Sequence, residues 1–135
     1  MILLRAVFAV LLCLWTGCSI MADKGIMEEY GSTMDTYETA MQMSDFNTIC
    51  QNIDPAVMTR TQCMQRFDNL KIVSYDVFAV NVAKSQRQVD MAVEVQYFFL
   101  DRYVVRKLQF DQTWRYSEEL KRWMLTEGPP EFKDN

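Results

Sequence analysis

No histidine occurs in the 135 residues of this chain. An imidazole base, a histidine-containing triad and a histidine-ligated zinc centre are therefore excluded by composition. The acid–base chemistry that remains needs a carboxylate base beside a hydrogen-bond donor, both held in an apolar pocket. Asp76 is the carboxylate with suitable neighbours, lying in the run Leu70–Val82 among Val73, Tyr75, Val77 and Phe78. Tyr30 and Tyr37 are the candidate donors, and Phe110, Trp114 and Trp123 the candidate pocket wall. The same residue types carry a simpler reading. A lone aspartate in a strand pattern marks an edge or a bulge, and a Met/Tyr stripe at helical spacing is ordinarily core. No pair of titratable groups with opposed environments is visible, so no residue is assigned a catalytic role.

The four cysteines are Cys13, Cys18, Cys50 and Cys63. They form no Cys-x-x-Cys motif and no cluster with metal-ligand spacing, so neither a metal nor a cofactor is expected. In an oxidising compartment Cys50 and Cys63 can pair. Geometry weighs against it: read as lying two turns into a helix that starts at Pro55, Cys63 stands roughly 12 Å along the axis. A bridge requires about 4.4–6.8 Å between Cα atoms. A disulfide and two buried thiols both stay open.

These side chains need elements to hold them. Met27, Tyr30, Met34, Tyr37 and Met41 follow a 3-4-3-4 spacing, which predicts one amphipathic helix with Glu28, Glu29, Asp35 and Glu38 off the stripe. Ser44 is the expected cap of a short second helix over Asp45–Gln51. Asp54-Pro55 reads as the start of a third, running to about Asp68 with Val57, Met64 and Phe67 on one face and Arg60 as its polar gap. From residue 70 the period changes. Leu70–Val82 is β-branched and aromatic with a blurred alternation, which fits a strand covered on both sides or one carrying a bulge. Val89, Met91, Val93, Val95, Tyr97 and Phe99 alternate with Asp90, Ala92, Glu94, Gln96 and Phe98 and predict a strand buried on one face. Tyr103–Tyr116 places Val104, Leu108, Phe110, Trp114 and Tyr116 on one face, and Trp123, Met124 and Leu125 form a last short strand before Gly128-Pro129-Pro130. Val93, Val95, Phe110 and Trp114 are expected buried, with Glu94, Lys107 and Arg115 exposed. Short polar turns between successive strands imply an antiparallel meander. The fold class is thus α+β, N-terminal helices packed on a curled four-stranded antiparallel sheet.

The N-terminus reads as an address. Met1–Arg5 carries one positive charge, and the apolar run Ala6–Trp15 is too short to span a bilayer but suits a signal-peptide core. It ends in Trp15-Thr16-Gly17-Cys18-Ser19, which resembles the lipobox of bacterial lipoproteins, with Trp15 where leucine is usual. The resemblance implies lipidation at Cys18, with acyl chains such as palmitate, and a place in the bacterial cell envelope. Ser19 after the cysteine favours the periplasmic face of the outer membrane. The alternative is an ordinary signal peptide cut after Ala22. The organisation expected is a signal peptide over 1–17, a lipidated cysteine and short tether over 18–26, one α+β domain over 27–127 and a tail over 128–135.

Within the domain, the segment Ser44-Asp45-Phe46 and the helix ending at Phe67 precede strands closing on Gln112–Tyr116 and Lys121–Leu125. This order and aromatic placement resemble the nuclear-transport-factor-2-like superfamily, a cone-shaped α+β roll. The resemblance implies either a noncatalytic module or an isomerase- or dehydratase-like enzyme with a carboxylate base in the cone. The first reading leads: a lipid-anchored domain that binds a small apolar ligand or an envelope protein. Tyr30, Tyr37, Phe110, Trp114 and Trp123 either line its interior or fill it completely. A formal charge of −4 weighs against nucleic acid as a partner, and Arg102, Arg106, Lys107 and Arg115 are spread over both strand faces. Monomer and homodimer are equally compatible with the sequence.

Overall fold

A computed structural model describes residues 25–134. The expected signal peptide, Cys18 and most of the expected tether lie outside the described residues. Residues 25–43 are helical (α1), followed by α2 over Phe46–Gln51, α3 over Arg60–Arg66, and strands β1 (Leu70–Val82), β2 (Gln88–Phe99), β3 (Arg106–Ser117) and β4 (Arg122–Leu125). The strands form one antiparallel meander in the order β1-β2-β3-β4. The helices pack on one of its faces, α1 burying Met34, Tyr37, Ala40 and Met41 against the sheet. Among the described residues no helix is long and apolar enough to cross a membrane.

The caps differ from those expected, for local reasons. Ser44 does not cap α2. It takes a left-handed backbone (φ 55°) and closes α1, with Ser44 N–H bonded to Met41 O and Asp45 N–H to Ala40 O. That is the bond pair by which a helix ends on a left-handed residue. The Ser44 hydroxyl accepts from Ile72 N–H at 2.9 Å and so ties the end of α1 to β1. Asp45 is the cap of α2, and hydrogen bonds from the Thr48 hydroxyl and amide hold its carboxyl below the usual range.

Asp54-Pro55 does not begin α3 either. Asp54 closes a single turn, accepting from Ala56 N–H through its side chain and from Val57 N–H through its carbonyl. The helix starts five residues later, where Thr59 and Gln62 exchange side-chain and backbone bonds in a capping box. This shift turns the helix: Cys63 and Phe67 are buried, whereas Val57 and Met64 face water. It also moves Cys63 to the first turn, where it is bonded to Cys50 with 5.8 Å between Cα atoms. The bridge staples α2 to α3, beside the stacked rings of Phe46 and Phe67.

In the sheet, β2 alternates as its sequence does, with Val89, Met91, Val93, Val95 and Tyr97 buried. The blur in β1 is two bulges: the pairing with β2 skips Val73 and Phe78, after Ile72 and after Val77. Each bulge resets the alternation and adds local twist. β3 begins at Arg106 rather than Tyr103, because Tyr103 adopts φ 53°, a conformation that no strand residue takes. Val104 is consequently an exposed loop residue. Phe110 and Glu94, expected buried and exposed, are both half-buried. The outer side of β4 is paired in turn: Leu125 N–H bonds Asn52 O and Asp54 N–H bonds Leu125 O. β1 forms the other edge of the sheet.

Candidate functional site

The structure gathers most of the predicted pocket residues beneath α1. Tyr37 is buried and meets Trp114 edge-on with ring centroids 5.0 Å apart, and Tyr75 at 5.8 Å. Tyr30, two stripe positions nearer the start of α1, sits edge-on against Trp123 at 5.1 Å. The Trp123 indole donates to Ile26 O at 2.8 Å, which anchors the beginning of α1 to β4. Trp114 and Trp123 have no exposed surface. The rings meet one another across the interior. Phe110 lies at the margin of this cluster, half-buried.

Two residues that sequence reasoning passed over complete the arrangement. Gln112, on β3, is buried between two phenols: Tyr75 OH donates to its Oε1 at 2.7 Å, and its Nε2 donates to Tyr37 OH at 3.2 Å. A buried amide is satisfied this way at both ends. Gln112 shares side-chain parity with Trp114 on a strand whose other face is polar, and that parity was the available signal. Burial raises the Tyr37 phenol, opposed by the Gln112 bond, and burial raises Tyr75, helped by Tyr37, Glu38 and Tyr30. Tyr30 is pushed up to about 12, first by burial and then by the Glu38 carboxylate. All three phenols stay protonated near neutral pH. They act as hydrogen-bonding groups and not as bases. The Trp114 Nε1 is buried with no hydrogen-bond partner among the described residues.

Asp76 is not part of this group. It pairs with Glu94 across β1 and β2, on the face opposite buried Val93 and Val95, and is exposed. The bulge after Ile72 sets this outcome, since Tyr75 and Val77 take the inward positions on either side of it. A carboxylate base in the interior therefore has no counterpart at Asp76. Among the described residues no three His, Cys, Asp or Glu side chains are grouped to hold a metal ion.

Outside the interior, two features stand out. Along the last half of β1, Phe78, Val80 and Val82 are about half exposed, at 59%, 55% and 44%. Val80 and Val82 pair with Met91 and Val89, which puts them on the inward face, beyond the part of it that α1 covers. At the other end of the sheet, residues 128–134 run back over the domain. Phe132 lies against Phe67 and Tyr97, and Arg66 and Arg102 form ion pairs with Glu131 and Asp134. A shallow trough of about 530 Å³, edged by Asp90, Asp111 and Glu127, is also lined by Val80 and so adjoins the first of these features. No protein-family model and no curated protein matches this chain.

Proposed function

We propose that this chain is a noncatalytic docking module of the bacterial cell envelope, tethered by a lipid on Cys18 and built on a nuclear-transport-factor-2-like cone. The address rests on the apolar run Ala6–Trp15 and the junction Thr16-Gly17-Cys18-Ser19, which favours the periplasmic face of the outer membrane. The cone rests on element order and on α1 lying across a curled meander.

One observation carries docking over small-ligand binding. In the interior Tyr37, Trp114 and Trp123 are buried against neighbouring rings, whereas β1 presents Phe78, Val80 and Val82 to water at an edge of the sheet. Contiguous exposed apolar residues mark interaction surfaces, and a strand edge offers backbone groups to a further strand. The partner suited to this edge is an extended segment of another envelope protein, with apolar side chains that reach Val80 and Val82.

The test is photo-crosslinking in cells from a reactive residue at position 78 of the full chain. A discrete adduct with another protein is expected, absent when Val80→Lys is added and reduced when Cys18→Ala releases the chain from the membrane. An adduct between two copies would make the partner the chain itself. Full cellular function in Val80→Lys without any adduct would remove the docking reading. Loss of function in a folded, correctly located Asp76→Asn chain would favour the isomerase- or dehydratase-like alternative.

A further inference from the structure

After β4, Thr126 N–H still bonds Thr113 O of β3, and beyond it side chains hold the described residues in place. Gly128 lies under Met58, where an added Cβ would come within 2.5 Å of the methionine methyl group. Pro129 and Pro130 then stiffen the approach. Phe132 enters a cradle between Phe67 and Tyr97, with ring centroids 5.6 and 4.9 Å away, backed by Phe46 and Phe99. The Tyr97 hydroxyl donates to the Lys133 carbonyl at 2.5 Å. An arginine stands at each rim: Arg66 of α3 meets Glu131 at 3.4 Å, and Arg102 of the β2–β3 connection meets Asp134.

This combination is a recognition surface. An aromatic floor selects a ring, two arginines placed on either side select acidic residues before and after it, and the phenol fixes the backbone between them. Both ion pairs are open to solvent, with the Glu131 and Arg102 side chains 71% and 66% exposed. Such pairs are weak and screened by salt, so they set register more than they hold the segment.

We propose that the cradle of Phe67, Tyr97, Arg66 and Arg102 docks a partner-protein segment carrying a phenylalanine flanked by acidic residues, and that Glu131–Asp134 occupies it in cis as a competitor. The inference rests on the docking reading above and adds a second surface, at the sheet end away from Val82. A tethered segment acts at an effective concentration on the order of millimolar. A partner segment therefore enters when it binds better than the tail or when the tail is displaced.

The experiment measures fluorescence anisotropy of a labelled synthetic peptide with the sequence of residues 128–135, titrated with the full chain. The Phe132→Ala chain is expected to bind at least tenfold more tightly than the unsubstituted chain. Adding Arg66→Glu and Arg102→Glu should undo that gain, as should alanine in place of the peptide's phenylalanine. No gain in a folded Phe132→Ala chain, or a gain indifferent to the two charge reversals, would overturn the proposal. If Phe132→Ala does not fold, the Glu131→Lys, Asp134→Lys chain is titrated instead, since it keeps the ring and loses both clamps. Unfolding of both would make the tail an integral part of the core and end the idea. A negative result beside a positive cross-link from position 78 would sink the cradle alone.

Discussion

Gln112 is the polar residue on which the interior depends. Its amide satisfies two phenols, and they satisfy it, so deletion of one member strands the others. Gln112→Leu should cost about 1–3 kcal/mol, the penalty for buried hydroxyls left unpaired. Converting all three together, as Tyr37→Phe, Gln112→Leu and Tyr75→Phe, should recover most of that loss in urea unfolding. The raised phenols add a pH dependence. In the unfolded chain they ionise near the ordinary value of 10.0, whereas burial holds Tyr30 to about 12 and raises Tyr37 and Tyr75 as well. The unfolded state thus releases protons first. The stability these groups contribute is full below pH 10 and falls as pH rises from there through about 12. Urea midpoints measured from pH 8 to 11 should decline above 10, and less steeply when Tyr37 and Tyr75 are phenylalanine.

At the scale of elements, α3 shows how one cap governs a neighbourhood. Thr59-x-x-Gln62 is a helix-start signature that an assignment from Asp54-Pro55 leaves out. Both signals are genuine: the first begins the helix, and the second closes a turn at Asp54, five residues upstream of Thr59. Starting at Arg60 brings Cys63 within reach of Cys50, so the distance objection to the bridge disappears along with the longer helix. Thr59→Ala should cost about 1 kcal/mol and loosen the Cys63 turn, read as faster reduction by dithiothreitol. Cys50→Ser with Cys63→Ser should lower stability by about 3 kcal/mol in the chain-entropy account of a loop this short, measured by urea unfolding under identical buffer conditions. β1 carries the complementary lesson. Its irregular alternation fitted either a strand covered on both sides or a bulge, and the two bulges, at Val73 and Phe78, come from its pairing with β2.

For the whole molecule, the unequal treatment of the two sheet edges is the organising feature. The 52–54 segment pairs with β4, while the last half of β1 keeps apolar side chains in water. Val80→Lys should leave stability within about 0.5 kcal/mol, as surface substitutions usually do. The same variant should lose the cross-link from position 78, which separates an interaction residue from a packing residue. α1 crosses from Ile26 beside Trp123 on β4 to Ser44 beside Ile72 on β1, and this path leaves Val80 and Val82 beyond its cover.

What the sequence alone determined were properties with a period. The stripe from Met27 to Met41 and the alternation from Val89 to Tyr97 assign faces because backbone geometry repeats every 3.6 or every 2 residues. Those faces are buried as their spacing predicts. Tertiary structure decided whatever joins distant residues: Gln112 with Tyr37, 75 positions apart, and Tyr97 with Lys133, 36 apart. It also decided the face of Asp76, because a bulge upstream shifts alternation by one residue and a shift of one exchanges the two sides of a sheet. No local pattern records such a choice; it is made where one strand's register meets another's.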